Sequence, residues 1–136
     1  MIKPIIKDIF LLQRPSLQAT LEDMQTVQDL IDTLEANKDR CVGMSASMIG
    51  VPKDIIIFKV QKESMVLLNP VIIDKKNAYT CEEGCLSIDG IHQTTRYEKI
   101  TVKYQDTSFK LKTKVFRGYV AQIIQHEVDH LHGILI

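Results

Sequence analysis

With 136 residues, 45% hydrophobic and 25% charged, the chain has the size and balance of one soluble globular domain that buries its own core. Seventeen basic and seventeen acidic residues cancel, which argues against a global field that gathers nucleic acid or anionic membrane. No apolar run reaches the roughly 20 residues of a membrane span. The charged N-terminus lacks a leader's cleavage site, and three cysteines are too few and too odd for a disulfide framework. A cytoplasmic, reducing setting is therefore expected, with thiols free for metal.

In chain order, residues 1–15 read as an irregular arm. Over 16–37, Leu17, Leu21, Met24, Val27, Leu30, Ile31 and Leu34 recur at helical spacing and predict an amphipathic helix, with Thr20 and Asp23 as a capping pair. The isoleucine-rich run 54–60 predicts a buried strand. A second strand over 64–69 ends at Asn69-Pro70, a turn signal, and 71–73 and 78–82 are shorter strand candidates. Residues 99–104 and 108–114 alternate apolar and polar about Gln105-Asp106-Thr107, which predicts a hairpin. A last helix spans 117–132 and stops at Gly133. One α+β domain over 1–136 follows, with a mainly antiparallel sheet.

The chemistry concentrates in that last helix, at His126-Glu127-Val128-Asp129-His130. Histidines four apart lie on one helical face and can reach a single ion, while the adjacent glutamate can reach a water on it. Tyr119, Ile123, His126, Glu127 and His130 share this face, so an apolar wall leads up to the histidines. Two histidines under-coordinate an ion, and Cys81 and Cys85 are the candidates for a further ligand. Four residues of extended chain span about 13 Å, so both thiolates meet one ion only if the backbone folds back at Gly84. One cysteine with two histidines leaves a position for water, the catalytic pattern. A closed site with both cysteines would be structural and would have no use for Glu127.

Glu83-Gly84-Cys85-Leu86-Ser87, followed by Gln125-His126-Glu127-Val128-Asp129-His130-Leu131, resembles the peptide deformylase family and its EGCLS and QHExDHL segments. Cys41-Val42-Gly43-Met44-Ser45-Ala46-Ser47-Met48-Ile49-Gly50 stands where that family has a segment of the form GxGLAAxQxG, and Arg96, Gly118 and Gly133 also match. The resemblance implies an antiparallel sheet packed around a central metal-binding helix. It implies removal of the formyl group from the N-terminal formyl-methionine of nascent bacterial polypeptides at the ribosome. Cys85, His126 and His130 would hold one divalent metal ion, with Fe2+ native and Zn2+ or Ni2+ in purified protein. Glu127 would be the general base, and the backbone N–H of Leu86 would meet the oxyanion. Val42, Gly43, Met48, Gly84 and Ile123 would bind the N-formyl-methionyl peptide. Met48 departs from the pattern: the family's glutamine donates a hydrogen bond to the oxyanion, and a thioether cannot. Loss of one such donor costs about 10²–10³ in kcat elsewhere. The expectation is therefore a deformylase of reduced activity. The alternative is a catalytically degraded relative that binds peptides or a partner through a metal-stabilised fold.

Overall fold

A computed structural model describes the chain except Leu86 and Ile136, together with the side chain of Asp89. The predicted irregular arm contains a short helix α1 (Ile9–Leu12). The Asp8 carboxylate starts it by accepting the Phe10 N–H at 2.9 Å, and Leu12 is buried. The predicted helix over 16–37 is shorter than expected. A 3₁₀ turn (Leu21–Asp23) carries the Thr20/Asp23 capping box and leads into α2 (Met24–Ala36). Residues ahead of it run extended, with the Leu17 N–H donating to the Pro52 carbonyl at 2.9 Å. Periodicity overcounted here, because Leu17 and Leu21 extend the stripe in sequence yet are exposed, whereas Val27, Leu30 and Leu34 are buried.

Among the described residues, five strands form one antiparallel sheet in chain order: β1 (Gly43–Ser45), β2 (Ile55–Val60), β3 (Glu63–Cys85), β4 (Ile88–Gln105) and β5 (Leu111–Arg117). A 3₁₀ segment (Ala46–Ile49) follows β1. The isoleucine run does not alternate because β2 is covered on both faces. Ile56 and Phe58 join the cluster under the last helix, α3 (Gly118–Leu131), whereas Ile55 and Ile57 join Val27, Leu30 and Leu34 of α2. The two helices thus lie on opposite faces, and α3 packs against β1, β2, β4 and β5.

The three strand candidates between 64 and 82 are one strand. Asn69-Pro70 is a bulge where the β3–β4 register shifts between Leu68 and Val71, rather than a turn. Asn69 takes φ 51°, and its side chain accepts the Ala19 N–H at 2.7 Å and donates to Gln105 Oε1 at 2.7 Å. Those tertiary bonds turn a local breaker into a joint. The expected β4–β5 hairpin forms, but its loop is 106–110 rather than 105–107. Gln105 stays in β4 opposite Leu111, and the Asp106 carboxylate accepts the Ser108 and Lys110 N–H groups, so β5 starts three residues later than expected. No helix among the described residues is long and apolar enough to cross a membrane.

Candidate metal centre and active site

The long β3 strand delivers Glu83 and Cys85 to α3, since residues two apart on a strand share a face. One ligand atom from each of Cys85, His126 and His130 lies within 4.8 Å of the others. The Cys85 Sγ is 3.4 Å from His130 Nε2, and the two histidine Nε2 atoms are 3.0 Å apart. Cys81 does not join them. The backbone runs extended from Cys81 to Cys85, and the Cys81 Sγ instead accepts from Gln122 Nε2 at 3.6 Å. Of the two arrangements left open by spacing, the geometry is the one with a single cysteine.

Behind the ligand atoms lies a buried polar network. The Glu83 Oε1 lies 2.8 Å from His126 Nδ1, and Arg96 grips the same carboxylate in a fork, Nη2 to Oε1 at 2.7 Å and Nε to Oε2 at 3.0 Å. Arg96 Nη1 also donates to the Asp129 carboxylate at 2.6 Å. Burial disfavours charge on Glu83, but the bonds from His126 and Arg96 outweigh it and hold the carboxyl down at about 2. An ionised Glu83 has no proton to give, so His126 Nδ1–H is the donor and Nε2 is the atom that faces Cys85 and His130. This is the carboxylate–histidine arrangement that orients metal ligands. Sequence reasoning gave Glu83 no role, because the strand expected over 78–82 stops short of it, whereas β3 runs on to Cys85.

The donor set fits a divalent ion. Burial, with His126 and Arg96 beside it, lowers His130 to about 3, so its imidazole is neutral. For His126, burial works against charge, yet the Cys85 and Glu83 partners raise it to about 10, marking a point where positive charge is favoured. A cation bound there competes with that proton. Thiolate with two imidazoles suits zinc or ferrous iron by softness. The Glu127 Oε1 is buried with no hydrogen-bond partner among the described residues, and burial pushes its carboxyl up to about 7.

A cleft of about 640 Å³ opens over these groups. Its lining includes all five residues expected to meet the peptide, Val42, Gly43, Met48, Gly84 and Ile123, together with Gln122. The Met48 side chain is almost wholly buried between the cleft and the α2 core. Leu86, expected to supply an oxyanion donor, lies outside the described residues. β1 ends the strand order and pairs on one side only, with Gly43 opposite Phe58, so its other edge borders the cleft.

An α+β domain that gathers one cysteine sulfur, two imidazoles and a buried carboxylate beside a cleft belongs to the class of metal-dependent hydrolases. The polypeptide deformylase family profile matches residues 7–136, and the chain belongs to that family. It is 52% identical to the peptide deformylase of Clostridium beijerinckii over 136 residues, all of both chains. It is 34% identical over 121 residues to peptide deformylase 3 of Shewanella oneidensis, covering 83% of this chain and 74% of that one. Among solved structures, the peptide deformylase of Thermotoga maritima superposes with a TM-score of 0.90 at 28% identity, covering 99% of this chain and 95% of that one. The Met-Ala-Ser-bound class I type b peptide deformylase of Acinetobacter baumannii gives 0.89 at 28%, covering 99% and 97%.

Proposed function

We propose that the chain hydrolyses the formyl group from N-formyl-methionyl peptides, releasing formate and a free amine. The observation that carries this reading is the Glu127 carboxylate, buried and unpartnered beside the Cys85, His126 and His130 cluster. A purely structural metal site gains nothing from such a group, which speaks against the degraded-relative reading that Met48 raises. We assign Cys85, His126 and His130 as ligands of one divalent ion, natively Fe2+, with Zn2+ or Ni2+ in purified protein. When bound, that ion supplies Lewis acidity and a water of lowered pKa.

The chain's own residues do the rest. Glu127, held near neutral by burial, takes a proton from the attacking water and returns it to the nitrogen of the departing amine. The open edge of β1 at Gly43 takes the peptide backbone as an added strand. Val42 and Ile123 offer apolar surface to the methionine side chain, and Gly84 lines the same cleft. The Leu86 N–H serves the oxyanion, and Met48 leaves its second donor unfilled. The Acinetobacter baumannii relative is bound to Met-Ala-Ser, which supports a peptide of that kind as the ligand here. Nascent chains leaving cytoplasmic ribosomes are the natural source of such termini.

The test is selectivity. Under anaerobic conditions with iron loaded, formyl-Met-Ala-Ser should release amine, and acetyl-Met-Ala-Ser should not. Equal cleavage of both, or of neither, contradicts the assignment.

A further inference from the structure

Gln122 stands one helical turn ahead of His126 on α3 and lines the cleft. Both ends of its amide nevertheless find partners on the protein side. The Nε2 donates to Glu83 Oε2 at 3.0 Å and to the Cys81 Sγ at 3.6 Å, while the Oε1 faces the Tyr79 hydroxyl at 3.4 Å. The opposite amide orientation would set its oxygen against the Glu83 carboxylate, so the partners fix which end is which.

Glu83 is the group that this contact serves. Its carboxylate is nearly inaccessible to solvent, so each lone pair needs a donor from the protein. Oε1 is occupied by His126 and Arg96. Oε2 is occupied by Arg96 and Gln122, with the Cys81 thiol as a long, weak third donor at 3.8 Å. Without Gln122 the Oε2 face toward α3 keeps no donor but the weak Cys81 thiol at 3.8 Å, and the carboxylate can turn on the Arg96 fork. That turn moves Oε1, the atom that sets the His126 ring.

We infer that Gln122 is a positioning residue for the metal ligand His126, acting through Glu83, and that it is not a peptide-binding group despite lining the cleft. Tyr79 and Cys81 hold the amide from behind. The inference rests on the proposed ligand set of Cys85, His126 and His130.

Two substitutions separate donation from shape. Gln122→Met keeps length and fills the same space but cannot donate. Gln122→Lys restores a donor toward Glu83 Oε2. The readouts are Zn2+ affinity by chelator competition and the Co2+ absorption spectrum, with circular dichroism to confirm folding. Gln122→Met should weaken Zn2+ binding by about tenfold, the low end of what an orienting partner contributes, and alter the Co2+ spectrum. Gln122→Lys should keep affinity close to wild type. Wild-type affinity and spectrum in Gln122→Met, or an equal loss in both variants, overturns the inference while leaving the ligand set intact. Absence of Zn2+ binding in the wild-type protein overturns the ligand set itself, and the inference with it.

Discussion

Gly43 and Ile123 are packed so closely that no side-chain carbon fits between them. A Cβ on Gly43 would stand 2.6 Å from Ile123 Cγ2, and 3.1 Å from the Glu127 Oε2. The glycine is therefore demanded from behind by α3, before any peptide approaches from the front. Gly43→Ala should push β1 from the helix or turn Glu127 aside. We expect a stability loss of about 1–3 kcal/mol from overpacking and a larger, at least tenfold, fall in kcat/KM. Wild-type kinetics with lowered stability would mean that Glu127 tolerates the displacement.

Met48→Gln tests the missing donor. A donor restored to the oxyanion should raise kcat tenfold or more. The position is buried in the α2 core, so an amide there should also lower the melting temperature. Unchanged kcat in a folded variant would show that the oxyanion is already served by other groups.

The two cysteines make a paired prediction. Cys81→Ser should leave metal content at one ion per chain, because Cys81 lies outside the ligand cluster. Cys85→Ser should abolish it. Loss of metal in both variants would restore the closed site with two cysteines.

Acid titration probes Glu83. Its carboxyl is held at about 2, below its ordinary 4.5, so the folded state releases this proton more readily than the unfolded chain does. The resulting stability is complete above pH about 4.5 and is lost as pH falls through about 2. With chelator present, wild type should therefore lose stability over that window more steeply than Glu83→Gln. Parallel curves would mean that Glu83 is not held anionic by Arg96 and His126.

Much of the site was legible in the sequence because it rests on short-range geometry. Histidines four apart on a helix must share a face, and a nearby cysteine is the natural third ligand. The capping pair Thr20 and Asp23 and the stop at Gly133 were legible for the same reason. What escaped depends on distant partners. Asn69-Pro70 reads locally as a turn, and only contacts with Ala19 and Gln105 make it a bulge in a 23-residue strand. Gln122 looks like a polar interruption of an apolar face until β3 brings Glu83 against it.

The central claim is that Glu127 moves the proton in a hydrolysis for which Cys85, His126 and His130 hold the metal. The most direct measurement is turnover of formyl-Met-Ala-Ser by iron-loaded wild-type and Glu127→Ala proteins matched for metal content. The variant should bind a full equivalent of metal and fall by at least 10²-fold in kcat, the lower end of a general base's contribution. Equal turnover at equal metal content would contradict the account.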